Sequence, residues 1–210
     1  MLRRLAGISV VFGLVFLSVG LTGASSAPSG SLTLDQRVEN QRRIEEVYWA
    51  HRLWPEFNPI PKPKLAEVLS ENVLRERAKD GVLQTLALER YFERTLTTAQ
   101  LRIEWERIAT ATRAPEMLLE LYRALDNDPV AIVESLVRPA LAEHLLRRAW
   151  QRQHQMQESE TTTPAFDAWW TKTRPGLDTL ASSRGDGDPG VSVGVDLGEL
   201  PSSPLQPNAA

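Results

Sequence analysis

Three histidines, at positions 51, 144 and 154, are the side chains of this 210-residue chain that titrate near neutral pH, so a metal centre or a general base would draw on them first. A helix offers two histidines to one ion when they stand four apart, as in H-E-x-x-H. His144 and His154 are ten apart and lack that pattern, so they read as surface or helix-end residues. No G-x-S-x-G turn prepares a serine nucleophile, and no glycine-rich loop is present to cradle a phosphate. Cysteine is absent, which removes thiol nucleophiles, thiolate metal sites, disulfides and a lipidated cysteine anchor. Asp186-Gly187-Asp188-Pro189-Gly190 looks like part of a calcium loop. It lacks the further oxygen donors, the closing glutamate and the flanking helices that such a loop needs. Arg184-Gly185-Asp186 spells an RGD tripeptide, which chance accounts for in a Gly/Asp-rich tail. The pairs Glu104/Glu106 and Asp126/Asp128 read as solvated helix faces and caps. The residues therefore predict no catalytic group, no metal and no cofactor.

Aromatic and thioether side chains are the remaining candidates. Trp49, Trp54, Phe57, Trp105 and Met117 are the residues expected to line a groove for apolar client segments. Tyr91, Phe92 and Trp150 belong to the same inventory. Core packing is the default for each, and a groove requires some of them to stay exposed.

The elements that position these residues follow from capping and periodicity. Thr97 and Gln100 have the S/T-x-x-E/Q spacing of a capping box, and Leu101, Trp105, Ile108 and Ala111 then repeat at steps of three and four. Ala114-Pro115 ends that helix and opens the next, which carries Leu118, Leu121, Tyr122 and Leu125. Asp128 is placed to cap a third helix with Pro129 in its first turn, running to Trp150 with a kink or break at Pro139. Upstream, Thr33 and Gln36 repeat the capping box ahead of a helix that should end near Trp54-Pro55. The prolines at 55, 59, 61 and 63 then predict an extended strap across the bundle, with Trp49, Trp54 and Phe57 packed inward. Ser70 is the expected cap of a further helix through Tyr91. Gly81 within it costs about 1 kcal/mol against alanine, and marks either a close helix approach or a weak point.

In order and turn chemistry, the stretch LTTAQLRIEWERIATATRAPEMLLELYRALDNDPVAIVESLVRPALAEHLL resembles the N-terminal helical domain of the SurA-like periplasmic chaperones of the parvulin class. The shared features are a capped "T-x-x-Q-L" opening, a short "P-E-x-L-x-x-L-Y-x-A-L" helix, a D/N-rich turn and a long last helix. With the helix before it, the resemblance spans residues 70 to 150. It implies an all-α, irregular bundle that holds unfolded chains without ATP. Members of the family carry parvulin domains that isomerise prolyl bonds. Here the 60 residues after Trp150 repeat no such pattern, so no catalytic residue transfers.

Residues 1 to 26 read as a secretory signal, with Arg3 and Arg4 ahead of an apolar run from Ile8 to Leu21 and small residues at 23 to 27. The run is shorter than the ~20 residues that span a bilayer comfortably, so no stable membrane span is expected after cleavage. The working compartment is then extracytoplasmic, periplasmic or secreted. Hydrophobic residues make up 42% of the chain, enough to bury a core. Lys plus Arg at 24 against Asp plus Glu at 27 excludes the basic face of a nucleic-acid binder. The expected layout is a bundle of five to six helices within 27–155, then a linker with a short Trp169-Trp170 docking segment over 156–180. A Gly/Ser/Pro/Asp-rich disordered tail over 181–210 completes it. The function expected is an exported chaperone-like module for unfolded or extended polypeptides. The alternatives are a cell-envelope scaffold, or a member of a prolyl isomerase assembly.

Overall fold

Thr33 and Thr97 each open a helix with a complete capping box. Thr33 accepts from the Gln36 backbone N–H at 3.2 Å, and the Gln36 side chain accepts from Thr33 N–H at 2.8 Å. Thr97 and Gln100 repeat the exchange at 3.2 and 3.0 Å. The computed structural model describes residues 32–155 and 165–184. Among them the chain is all-α, with no strand. In order, the helices are α1 (Leu34–His51), α2 (Leu65–Val68), α3 (Glu71–Phe92), α4 (Thr98–Ala111), α5 (Pro115–Ala124) and α6 (Pro129–Ile132). A π-helical turn (Val133–Val137), α7 (Arg138–Gln155) and α8 (Phe166–Arg184) follow. The expected signal segment at 1–26 lies outside the described residues, as does the tail beyond 184.

α3 is the axis of the bundle, and α1, α7 and α8 all pack on it. Its sequence explains the placement. Leu83, Leu86, Ala87 and Leu88 are all at most 1% exposed, so this helix is apolar on more than one face and must be covered from several directions. Gly81 lets α7 close in. A Cβ built at that position would lie 2.8 Å from Pro139 Cγ, nearer than real Cβ contacts fall. Of the two readings of this glycine, the close approach holds.

Asp128 caps α6 through the Val130 N–H at 2.9 Å, with Pro129 in the first turn. The break anticipated at Pro139 takes the form of a widened turn just ahead of it. Arg138 N–H reaches back five residues to the Val133 carbonyl, a π geometry that makes room where proline can neither donate nor fit the tighter ring. Into this turn is built a buried ion triad. Glu134 binds Arg37 of α1 at 2.7 Å and Arg138 at 2.6 Å, with all three residues at most 6% exposed. The triad fastens α1 to the seam between α6 and α7.

Two expectations are corrected here. α1 ends at His51, ahead of the Trp54-Pro55 boundary. The Trp169-Trp170 segment is not a short docking piece in a linker. It is the first quarter of a 19-residue helix that runs past position 180 to Arg184, with Ala181 1% exposed. The inward stripe Phe166, Trp169, Leu177 and Ala181 recurs near whole helical turns, and Pro175 masked its continuation beyond the indoles.

Candidate binding surface

The strap between α1 and α2, residues 52–64, is tied down from behind by polar contacts rather than by burial. Lys62 Nζ donates to the carbonyls of Trp49 at 2.6 Å, Ala50 at 3.3 Å and Arg52 at 2.8 Å, closing the C-terminal end of α1 where the carbonyls lack partners. Trp49 Nε1 donates to the Pro63 carbonyl at 3.0 Å, and Trp54 Nε1 to the Ile60 carbonyl at 2.8 Å. The two indoles meet at 6.4 Å. Arg52 and Lys62 lie over the Trp49 ring at 5.6 and 5.3 Å, a cation–π arrangement. Alternating prolines leave carbonyls without a sheet or helix to join, and the indole N–H groups supply the donors. The Asn58 side chain accepts from Ile60 N–H at 3.2 Å and tightens the tip.

Pinned in this way, the strap turns its apolar side chains outward. Leu53 is 92%, Phe57 90% and Ile60 64% exposed, with Tyr48 and Val68 flanking them about half exposed. Phe57 was expected to pack inward, and its side chain stands in solvent instead. The turn at Pro55 to Asn58, closed by Asn58 N–H to the Pro55 carbonyl at 3.0 Å, carries Phe57 away from the bundle. Trp49 and Trp54 are half-buried.

Trp105 is not a surface residue. At 1% exposure it lies in the core and donates through Nε1 to Tyr122 Oη at 2.7 Å, edge-on at 89°. Burial raises the Tyr122 phenol above its ordinary pKa, and the Trp105 donor opposes that only in part. Period-three spacing in α4 and α5 marked these two as inward-facing, which is what a core pair and a groove pair have in common. Met117 is half-buried on α5, outside the run of chain that forms the strap. The five candidates thus divide into an exposed tip (Phe57), its two anchors (Trp49, Trp54), a core residue (Trp105) and a residue on another helix (Met117).

A second aromatic cluster forms where α8 meets α3 and α7. Trp169 packs edge-on to Tyr91 and Phe92 at 5.9 and 6.0 Å, and Phe166 meets Trp150 at 6.0 Å. Arg147 sits over the Phe166 ring at 4.3 Å and pairs with Asp167 at 3.2 Å. Arg174 bridges Glu76 and Asp80 at 2.8 and 2.7 Å, and Lys79 meets Asp178 at 3.1 Å. The hydrogen bond from Arg174 holds the Glu76 carboxyl below its ordinary range. Tyr91, Phe92 and Trp150 pack against α8 of the same chain.

Near the start of α1 a depression of about 380 Å³ is rimmed by Asp35, Glu39, Asp126 and Asp128. Asp35 pairs with Arg75, Glu39 with Arg42 and Arg43, and Asp126 with Arg43, while Asp128 caps α6. These carboxylates serve the fold. His51 bonds Glu120 at 2.8 Å, and His154 stacks on Trp150 at 4.1 Å. No group of three metal-ligating side chains occurs among the described residues, nor is any helix there long and apolar enough to cross a membrane. No family model, curated protein or solved structure matches this chain.

Proposed function

We propose that the protein is an ATP-independent, chaperone-like module that binds apolar segments of extended polypeptides along the strap. The observation that carries this reading is the set Leu53, Phe57 and Ile60, three large apolar side chains held in water on a backbone fixed by Lys62, Trp49 and Trp54. Exposed apolar clusters of this kind mark interaction sites. A pre-fixed strap loses little conformational freedom when a client docks. The resemblance of residues 70 to 150 to the SurA-like helical domain supports the same reading, and so does the export signal read in residues 1 to 26. An envelope scaffold that docks through Trp169-Trp170 is the weaker alternative, because Trp169 already packs on Tyr91 and Phe92 of its own chain.

The test is suppression of aggregation of a chemically unfolded protein by residues 27–210, compared with Leu53→Ser/Phe57→Ser. Protection should fall severalfold in the double variant while its unfolding midpoint moves little, since both side chains are exposed. Equal protection by the two proteins would remove the strap as the site. A parallel proline-limited refolding assay should show no acceleration, and acceleration would replace this reading with an isomerase.

A further inference from the structure

We propose that the chain carries its own occupant for the strap: the segment 191–200 docks on Leu53, Phe57 and Ile60 and competes there with client polypeptides. The inference adds a regulator to the polypeptide-binding site and rests on that reading. Val191, Val193, Val195 and Leu197 alternate with Ser192, Gly194, Asp196 and Gly198. In extended form the four apolar residues share one face, about 7 Å apart. Such a segment has the chemistry of an extended apolar client and is covalently attached to the binding surface.

The strap accepts it through side chains and charge. Its backbone is already engaged: the Ile60 N–H goes to Asn58, and the Ile60 and Pro63 carbonyls accept from Trp54 and Trp49. The prolines at 59, 61 and 63 bring no further donors, so a regular strand ladder is closed to any occupant. Arg52 and Lys64 stand exposed at the two ends of the strap and pair with no carboxylate among the described residues. With Lys62 they set three bases against the single acid Glu56 over 52–64. Residues 185–210, outside the described part of the chain, hold Asp186, Asp188, Asp196 and Glu199 and no base. An acidic segment with an apolar face thus complements a basic one with exposed apolar side chains. The route is short as well. α8 runs back along α3, with Trp169 at Tyr91 and Phe92 and Arg174 at Asp80 and Glu76. Arg184 therefore lies toward the start of α3, the end into which the strap and α2 lead. Val191 is seven positions further on, a reach of about 24 Å when extended. A tether of this length holds the segment at an effective concentration on the order of millimolar, so weak contacts suffice to occupy the strap.

The test uses the full chain with Ser192→Cys, whose thiol takes a nitroxide label at one place because the natural sequence has no cysteine. Ser192 alternates with the apolar set, so the label faces away from the strap. The spin should broaden the NMR signals of Leu53, Phe57 and Ile60. Adding Val193→Ser, Val195→Ser and Leu197→Ser should remove that broadening, and Leu53→Ser/Phe57→Ser should remove it at Ile60. Broadening that arises only between spin-labelled and isotope-enriched molecules in a mixture comes from a second copy, and would overturn docking within one chain. Client binding is probed with an unrelated extended apolar peptide, titrated by calorimetry. The triple serine variant should bind it at least about threefold more tightly than the unaltered chain, because self-occupancy lowers apparent affinity in proportion. No broadening at the strap, or equal peptide affinity for both proteins, would overturn this inference and leave the client reading standing. Peptide binding by neither protein would remove the client reading, and with it the competition proposed here.

Discussion

Glu134 sits between two buried guanidinium groups, and the energetics of that placement are lopsided. Each ion gave up hydration to enter the bundle, and the triad still holds Arg37 Nε and Arg138 Nη1 without partners. Removing the carboxylate strands two like charges, so Glu134→Ala should cost about 3–5 kcal/mol in denaturant unfolding. Replacing all three residues with packed apolar side chains should cost far less than that single change. Gly81 makes the second residue-scale case. Helix propensity alone would favour alanine there by about 1 kcal/mol, but the added methyl meets the rigid Pro139 ring at 2.8 Å. Overpacking of this kind costs about 1–3 kcal/mol, so Gly81→Ala should lower the unfolding midpoint. Neither partner was visible in the sequence. Pro139 lies 58 positions from Gly81, and Glu134 lies 97 from Arg37, and no local pattern reports a contact at that range.

α8 offers two opposing levers at the scale of a single element. A Cβ at Gly176 would meet nothing within 4 Å, so Gly176→Ala should gain about 1 kcal/mol of helix propensity and slow amide exchange in α8. Acid acts the other way. With its pKa lowered by Arg174, Glu76 binds fewer protons docked than free. Its contribution is complete above the ordinary glutamate range and drains away as pH falls through the lowered value. Asp80, Asp178 and Asp167 share the interface with Lys79, Arg174 and Arg147. Exchange in α8 should therefore rise at acid pH before that of α3. The capped elements were legible because their signals are local. Thr33/Gln36, Thr97/Gln100 and Asp128-Pro129 each fix a helix start within four residues. The strap was legible as irregular chain from its prolines, but its facing was not. Which side Phe57 takes depends on a turn closed by Asn58 and on the reach of Lys62.

For the molecule as a whole, fold class came from periodicity and the layers from burial, while the division of labour among the aromatics needed coordinates. A tryptophan at period-three spacing reads the same whether it ends in the core, as Trp105 does, or on a face that a second helix covers, as Trp150 does. That division also equips the chain with built-in optical probes. Trp105, sealed in the core and bonded to Tyr122, should emit at short wavelength and resist acrylamide. Trp150, Trp169 and Trp170 should shift red together if α8 lifts, and Trp49 and Trp54 should be quenched readily throughout. Since these six are all the tryptophans of the chain, phenylalanine replacement at two groups isolates the third. Core, α8 seam and strap then become three separately readable colours of one emission spectrum.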